Sequence, residues 1–288
     1  MTPTLAGDLM RYVDLHVHTT ASDGMLTPSE VVQQAKEAGL VALGIADHDT
    51  LGGVPEGCRA GKEAGIEVVP GVEINTEENA SEIHVLGYWP ELDDEEFNDL
   101  LKMLRDSRQL RLDEMVSRLA RLGLVIDASR VREVAGDAAP GRPHVARVLA
   151  EAGLVRSVRE AFDLYLGMGK PAYVERYRVS PVEAVAAVVR ARGVPVLAHP
   201  GLLPRDEILP RLLDAGLAGL EVYHPYHDEG TVRVLLEEAG RHGLLVTGGS
   251  DSHGKGEEHS GAVGEVRVPY EHLEALKTAK CRIMHRRG

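Results

Sequence analysis

Residues 13–50 read VDLHVHTTASDGMLTPSEVVQQAKEAGLVALGIADHDT, and the predicted fold depends on the pattern in this stretch. Two short apolar runs, Val13–Val17 and Val41–Ala46, are typical of buried strands. Between them, Thr27 and Glu30 form a capping box, which marks the start of a helix. The stretch therefore predicts a strand, a helix and a second strand.

The same alternation continues along the rest of the chain. Strands that alternate with helical segments indicate a mainly parallel α/β barrel or sheet. Further apolar runs bounded by turn residues predict strands at Ile66–Val72, Ile83–Tyr88, Val194–Ala198, Leu217–Tyr223 and Leu244–Thr247.

The connection between the third and fourth predicted strands is an exception to this alternation. Only NTEENAS, residues 75–81, and its neighbours separate the two apolar runs. That length is too short for a crossover helix but long enough for a hairpin. We therefore expect the fourth strand to run antiparallel to the third.

A long segment in the middle of the chain has no convincing strand pattern. Residues 93–180 contain helical patterns instead, including the amphipathic stretch LLKMLRDSRQLRLDEMVSRLARLG at residues 100–123. We expect a small helical domain inserted into a barrel that is formed by residues 12–92 and 181–288.

Composition places the chain among folded proteins of a reducing compartment. It has 288 residues, of which 43% are hydrophobic and 27% charged. Its two cysteines, Cys58 and Cys281, are far apart and form no CxxC motif, which argues against a disulfide framework or a zinc knuckle. No stretch approaches the roughly 20 apolar residues that cross a bilayer. We expect a cytoplasmic protein without membrane contact.

The net charge of −13 argues against a general affinity for nucleic acid, because such proteins usually carry a basic surface. An anionic substrate would need a local source of positive charge. Bound divalent ions supply one, since they are often the largest charges in a site. We therefore expect no stable complex with nucleic acid, although an acidic protein can still act on a phosphate compound.

Histidine and carboxylate side chains recur at the ends of the predicted strands. His16 and His18 lie two residues apart, so they project to the same side of an extended chain. His84 begins the fourth strand, whose start lies beside the end of the third if the two form a hairpin. Because α/β barrels place their active sites at the C-terminal ends of the strands, one mouth should collect all these side chains. The candidate metal ligands are His16, His18, Asp23, His48, Glu73, His84, His199, Asp251 and His253.

This set of side chains indicates a cluster of metal ions. Nine nitrogen and oxygen ligands exceed the three or four protein ligands of one catalytic zinc ion, so we expect two or three divalent ions. Mixed imidazole and carboxylate ligands suit zinc, iron or manganese, and the sequence does not rank these metals. Clustered ions that hold a bridging hydroxide are typical of phosphatases and nucleases.

The chain resembles the PHP superfamily, named for polymerase and histidinol phosphatase, in the successive motifs HVHTTASDG, ADHDT, GVEI, EIHVLGY, LAHP and GGSDSH. The resemblance implies a distorted seven-stranded α/β barrel, written (β/α)7. It also implies three ions, with Glu73 as a bridge between two of them. Their ligands would be His16, His18, Glu73 and Asp251 for the first ion, Glu73, His84 and His199 for the second, and Asp23, His48 and His253 for the third.

The predicted insertion resembles that of one PHP group. GRPHVARVLAEAG and AFDLYLGMGKPAYV are similar to segments of PHP phosphoesterases that act on nucleoside 3',5'-bisphosphates and on RNA 5' ends. The resemblance implies that the insertion covers the metal cluster as a substrate lid. The residues expected to face the substrate are Arg142, His144, Lys170 and Tyr173.

Four further polar residues are candidates for roles around the metal cluster. Asp47 and Asp49 flank His48 and would orient ligands through hydrogen bonds, although Asp49 equally suits a turn. His224 and His227 follow the sixth strand, and either would contact phosphate or protonate a leaving oxygen. We expect one of these two histidines to be structural.

The sequence thus favours a metal-dependent phosphoesterase that uses a metal-bridging hydroxide to attack phosphorus. Its expected substrates are nucleoside 3',5'-bisphosphates, RNA 5' ends that yield mononucleotides, or both. A histidinol phosphate phosphatase or another small-molecule phosphomonoesterase is an alternative. An amidohydrolase is less favoured, because it would normally bridge its ions with a lysine where this chain has Glu73. A non-catalytic metal-binding module is a further alternative, and the sequence leaves the oligomeric state open.

Overall fold

The computed structural model describes residues 11–78, 81–135, 140–174, 179–203, 205–254 and 261–285. The chain forms two compact units, one made of Met1–Phe97 and Ser180–Gly288 and the other of Asn98–Val179. Within the described ranges, no helix is long and apolar enough to cross a membrane.

The first unit is built around one sheet whose strands follow the order β7, β6, β5, β4, β3, β2, β1, β8. All seven strands predicted from the apolar runs are present. The strands are β1 Tyr12–Val17, β2 Ala42–Ile45, β3 Glu67–Glu78, β4 Ser81–Tyr88, β5 Val194–Leu197, β6 Gly219–Tyr223, β7 Leu245–Gly248 and β8 Val268–Pro269.

Helices connect most of these strands. The first begins at Pro28 as predicted, because Thr27 and Glu30 complete a capping box there. The helices are α1 Pro28–Glu37, α2 Val54–Ala64, α3 Glu95–Arg121, α4 Ala128–Ala135, α5 Arg142–Glu151, α6 Val158–Ala161, α7 Pro181–Arg190, α8 Arg205–Ala215, α9 Glu229–His242 and α10 Tyr270–His285.

Strand direction follows the expected pattern. β1, β2 and β3 are parallel, as are β5, β6 and β7, whereas β4 is antiparallel to both β3 and β5. The predicted hairpin is thus confirmed. Its strands are longer than the apolar runs indicated, because Asn75 and Thr76 are buried and continue the pairing, and Asn75 lies opposite His84.

The sheet has one strand more than the seven that were expected, namely β8. β8 pairs antiparallel with the start of β1, where Tyr12 lies opposite Pro269 and Val13 opposite Val268. A strand of two residues is too short to produce a recognisable periodicity. At the other end of β1, Val17 forms a bridge with Ser252. β1 therefore joins β2 on one edge and the last segments of the barrel on the other, and the barrel is nearly closed.

β1 is buried on both of its faces. Only Tyr12 among its six residues is partly exposed, so the strand does not alternate between apolar and polar residues in the manner of a half-exposed strand. Leu15 packs in the core of the barrel, and its carbonyl accepts a hydrogen bond of 3.0 Å from the hydroxyl of Tyr88. This burial fixes the strand that carries His16 and His18.

The described residues of the second unit form helices and connecting turns, and they have an apolar core of their own. Arginine side chains of α3 hold the segment that follows the π-helical turn Phe162–Leu166. Arg118 donates to the carbonyl of Tyr173, and Arg111 donates to that of Val174 at 3.1 Å. The core includes Leu112, Met115 and Leu119 of α3 and Val145 and Leu149 of α5.

Candidate metal centre

His16 and His18 meet at the end of β1. Both side chains are buried, and their Nε2 atoms lie 3.1 Å apart. Two imidazole nitrogens that each bind one ion at about 2.0–2.1 Å would be separated by about 2.9–3.4 Å for bond angles between square and tetrahedral. The observed separation therefore fits two ligands of one ion.

A first group of ligand atoms forms around this pair, and we call it group one. Oε2 of Glu73 lies 3.3 Å from Nε2 of His16 and 3.2 Å from Nε2 of His18. Oδ1 of Asp251 lies 3.0 Å from Nε2 of His18. Group one is His16, His18, Glu73 and Asp251.

The hairpin supplies group two. Oε1 of Glu73 lies 2.8 Å from Nδ1 of His84 and 3.1 Å from Nε2 of His199. His84 reaches this position because it pairs opposite Asn75, two residues beyond Glu73 on β3. Group two is Glu73, His84 and His199. Since Glu73 belongs to both groups, its two oxygens can bind two different ions.

Group three lies on the other side of His18. Asp23 approaches His48 at 3.6 Å and His253 at 3.4 Å, while Nδ1 of His18 lies 3.7 Å from it. The rings of His18 and His253 stack with their centroids 4.0 Å apart. Group three is His18, Asp23, His48 and His253. The structure thus brings together all nine residues singled out in the sequence, and it adds His18 to the third set.

The groups contain buried polar atoms that suit metal ions. Within the described ranges, His18 Nδ1, Glu73 Oε2, His84 Nε2 and Asp251 Oδ1 are buried and form no hydrogen bond. Such atoms are costly to bury without a partner. Imidazole nitrogens and carboxylate oxygens are ligands of zinc, iron and manganese, so the residues fit divalent ions.

The carboxylates and imidazoles of these groups shift one another's pKa values. Burial alone would raise the pKa of Glu73, but the nearby charges of His84 and His16 hold this pKa well below its usual value. Burial lowers the pKa of His48 to about 4, despite the opposing effect of Glu73. Metal binding requires ionised carboxylates and neutral imidazoles. Despite burial, the nearby carboxylates raise the pKa of His18 to about 10 and also raise the pKa values of His16 and His84, so these three rings must release protons when an ion binds.

Comparison with known proteins identifies the family. The model of the PHP domain matches residues 14–130. A 3',5'-nucleoside bisphosphate phosphatase of Chromobacterium violaceum is 34% identical over 255 residues, which cover 86% of this chain and 89% of that protein. The chain belongs to the PHP family.

Two other PHP relatives have different names. A 5'-3' exoribonuclease of Haemophilus influenzae is 36% identical over 65% of this chain and 68% of that protein. A phosphoribosyl 1,2-cyclic phosphate 1,2-diphosphodiesterase of Eggerthella lenta is 32% identical over 84% of this chain and 94% of that protein. All three relatives act on phosphoric esters.

Solved structures support the same fold. A protein of Bifidobacterium adolescentis, assigned as a metal-dependent phosphoesterase, is 34% identical with a TM-score of 0.74 and covers 93% of this chain and 96% of its own. A Chromobacterium violaceum structure named an amidohydrolase, with bound sulfate and no metal, is 31% identical with a TM-score of 0.71 over 93% and 96% of the two chains. The present PHP protein is a metal-dependent phosphoesterase whose cofactors are divalent ions.

Two buried carboxylates of this PHP barrel hold candidate metal-binding residues or the segments next to them, although the sequence analysis did not single these carboxylates out. Glu221 of β6 is buried, and its Oε1 lies 3.0 Å from Nδ1 of His16. Asp14 of β1 accepts hydrogen bonds of 2.9 Å from the N–H groups of Ser250 and Gly264. Asp14 thereby ties the segment that precedes Asp251 to β1. The sequence does offer one signal for Asp14 and Glu221. Each is an acidic residue inside an apolar strand, where a buried carboxylate needs a hydrogen-bond partner.

Asp47 positions the loop that carries Asp23. Its Oδ1 accepts hydrogen bonds of 2.7 Å from the N–H of Thr19 and from the hydroxyl of Ser22. Its Oδ2 accepts one of 2.8 Å from the hydroxyl of Thr19. Burial raises the pKa of Asp47 against the effect of these bonds.

Asp49 bonds to Asn75 of the neighbouring strand β3. It accepts a hydrogen bond of 3.0 Å from the N–H of Asn75, and the amide nitrogen of Asn75 lies 3.0 Å from Nδ1 of His48. Both aspartates that flank His48 therefore bond to side chains or backbone groups of residues near the candidate ligands.

His224 and His227 differ in how their ring nitrogens are used. His227 donates Nδ1–H to the carbonyl of Val222 at 2.8 Å and accepts at Nε2 from the N–H of Gly201 at 3.0 Å. Both of its nitrogens thus hold the backbone. His224 accepts at Nδ1 from the N–H of Tyr226 at 3.3 Å, which leaves its buried Nε2 facing Asp251 Oδ2 at 3.5 Å.

The predicted substrate residues of the insertion lie in the second unit. The guanidinium of Arg142 lies 5.5 Å from the ring centre of Tyr173. His144 accepts a hydrogen bond of 3.0 Å at Nδ1 from the N–H of Gly141, which fixes its tautomer. Lys170 has an exposed side chain, and its carbonyl accepts from the N–H of Tyr173 at 2.9 Å. Arg142 and Lys170 thus both neighbour Tyr173.

Proposed function

We propose that this enzyme releases phosphate from nucleoside 3',5'-bisphosphates and also removes mononucleotides from RNA 5' ends. The observation that carries the proposal is the complete set of three ligand groups that share Glu73 and His18. The names of the Chromobacterium violaceum phosphatase and the Haemophilus influenzae exoribonuclease support both substrate classes. The cytoplasmic location expected from the sequence remains a prediction.

The ligand groups would hold two or three ions of manganese, iron or zinc. When bound, such ions stabilise negative charge on a phosphoryl oxygen and lower the pKa of water. The proposed ligands are His16, His18, Asp23, His48, Glu73, His84, His199, Asp251 and His253.

Exposure indicates the side from which a substrate would enter. The side chains of His16, His18 and Glu73 are at most 1% exposed, whereas those of the six outer ligands are 12–17% exposed. A phosphate group would therefore approach the outer ligands, while the inner three stay shielded from water. The outer ligands are Asp23, His48, His84, His199, Asp251 and His253.

Of the two histidines that follow β6, His224 is the better placed to contact a substrate. Because its Nδ1 accepts from the N–H of Tyr226, the neutral ring carries its proton on Nε2, which faces Asp251. From this position the neutral ring of His224 would donate a hydrogen bond from Nε2 to phosphate or to the leaving oxygen. We assign His227 a structural role, because backbone groups use both of its ring nitrogens.

The insertion would bind the second phosphate of a bisphosphate. Arg142 and Lys170 supply positive charge, and Tyr173 offers an aromatic ring that the guanidinium of Arg142 already approaches. Arginine forms strong, directional hydrogen bonds with phosphate. We retain the prediction that residues 93–180 act as a substrate lid, with His144 as a further contact.

A cyclic phosphodiester is a second candidate substrate. The Eggerthella lenta relative has that activity in its name and matches 84% of this chain. Removal of a nucleotide from RNA also breaks a phosphodiester, so one metal cluster would serve both reactions.

A substrate screen of the metal-loaded protein tests these proposals. Phosphate release or product formation would be measured with adenosine 3',5'-bisphosphate, 5'-phosphorylated RNA, a ribose 1,2-cyclic phosphate, histidinol phosphate and an N-acyl amino acid. We expect kcat/KM to be highest for the bisphosphate or the RNA. Preference for histidinol phosphate would support the small-molecule alternative, and amide hydrolysis alone would contradict the proposal.

A further inference from the structure

Glu221 contacts residues of two different ligand groups. It is fully buried on β6, where its Oε1 lies 3.0 Å from Nδ1 of His16 and its Oε2 accepts from the N–H of His199 at 2.8 Å. His16 belongs to group one and His199 to group two. Neither residue belongs to group three.

Both contacts require an acceptor on Glu221. A backbone N–H is always a donor, and His16 must donate from Nδ1 if its Nε2 is to bind an ion. Only a carboxylate offers two acceptor oxygens at this place, since a glutamine would present one oxygen and one N–H₂ donor. The amide would therefore face one of the two donors with a donor of its own.

The contact between Glu221 and the N–H of His199 supports an unusual backbone conformation. His199 has φ 29° and ψ 53°, a left-handed conformation that a residue with a side chain rarely adopts. The residue follows the end of β5 and precedes the short turn Pro200–Leu202. The hydrogen bond to Glu221 holds its amide in this conformation, which directs the ring towards Glu73 at 3.1 Å.

We propose that Glu221 is a positioning residue that sets the geometry of groups one and two together and leaves group three unaffected. This inference rests on the proposed binding of ions by the three groups. It predicts that the conservative change Glu221→Gln weakens two ion sites selectively. Loss of a hydrogen-bond partner of a metal-binding histidine typically costs about 10- to 100-fold in metal affinity.

Crystals of the wild type and of Glu221→Gln, equilibrated with graded zinc concentrations, would test the inference through anomalous scattering. The occupancy of each ligand group is then measured separately and without any assay of activity. We expect the zinc concentration for half occupancy to rise about 10- to 100-fold at groups one and two, and to stay within about twofold at group three. Equal loss at all three groups, or at none, would overturn the proposal.

Asp47→Asn provides the matched control, because it also changes a buried carboxylate into an amide next to the ligand residues. Asp47 holds Thr19 and Ser22, and so positions Asp23 of group three. Its replacement should lower the occupancy of group three. If Asp47→Asn lowered groups one and two as much as Glu221→Gln does, the selective role of Glu221 would be refuted.

A solution measurement covers the case in which Glu221→Gln does not fold. Nitrogen-15 spectra of the zinc-loaded wild type report the tautomer of His16. We expect a protonated Nδ1 in slow exchange with water, as the contact with Glu221 requires, and an unprotonated Nε2. A zinc-loaded His16 without a proton on Nδ1 would overturn the proposal, whereas failure of the wild type to bind zinc would contradict the proposed metal site itself.

Discussion

Nε2 of His16 lies 3.4 Å from Oδ1 of Asp251, although the two residues come from opposite ends of the barrel sequence. The backbone reinforces this contact, since the N–H of Asp251 donates to the carbonyl of His16 at 2.9 Å. The near closure of the barrel between β1 and the segment after β7 therefore completes group one. A change at either residue should affect the ion bound there and leave the strands in place.

We predict that His16→Ala or Asp251→Ala abolishes hydrolysis and lowers the metal content, with little loss of the fold. Each change removes a ligand from group one, while the apolar core of the barrel remains. Activity, bound metal by elemental analysis and circular dichroism would be measured on the same samples. Wild-type turnover with fewer bound ions would show that group one is not needed for the chemistry.

We predict that Arg142→Ala and Lys170→Ala each reduce the stabilisation of the transition state for bisphosphates by about 1.5–3 kcal/mol. This is the range for hydrogen bonds to charged groups. The loss should be smaller for a substrate that carries only the scissile phosphate, and metal content should not change. The measurement is kcat/KM for paired bisphosphate and monophosphate substrates.

Arg159→Ala is the control for this prediction, because Arg159 is an exposed arginine of the same unit, on α6, and pairs with Asp163 at 3.8 Å. It should leave kcat/KM for both substrates unchanged. Equal losses for the bisphosphate and the monophosphate in the Arg142 and Lys170 variants would indicate that these residues act on the reacting phosphate or on the fold.

We predict opposite effects for the two histidines that follow β6. His227→Phe should lower the free energy of unfolding by about 1–3 kcal/mol, because it leaves the N–H of Gly201 and the carbonyl of Val222 without their partner. His224→Gln should leave stability nearly unchanged and lower kcat. Urea unfolding and steady-state kinetics distinguish the two, and a large loss of kcat with unchanged stability in His227→Phe would reverse the assignment.

The sequence predicted most of the barrel because its signals are local. Apolar runs and capping residues mark the strands and helices, and the short connection after Glu73 indicated the hairpin that brings His84 to the mouth. The HxH pair followed from the two-residue period of a strand. Each of these inferences uses residues that are close together in the chain.

Features that depend on contacts between distant segments were missed. The pairing of Glu221 with His16 joins β6 to β1, and the bonds of Asp14 join β1 to segments near the end of the chain. Likewise, His18 reaches group three only because its ring presents Nδ1 on the side of Asp23. Strand order and ring orientation determine these contacts, and neither leaves a periodic pattern in the sequence.

We predict that zinc stabilises the folded protein in a saturable manner. Ions that bind the folded chain alone raise the free energy of unfolding by about 2.7 kcal/mol per site at a free concentration of 100 times the dissociation constant. The buried and unpaired atoms of His18, His84 and Asp251 gain partners when ions bind, so the effect should be large. Urea unfolding at graded zinc concentrations measures it.

Asp251→Asn is the control for stabilisation by zinc, because the amide keeps the shape of the side chain and removes its charge from group one. Part of the stabilisation should then disappear, while the remainder, which groups two and three contribute, should persist. A chelator added after zinc should return both proteins to their metal-free stability. If zinc left the unfolding curve of the wild type unchanged, the three groups would not be metal sites, since ions bound there must favour the folded state.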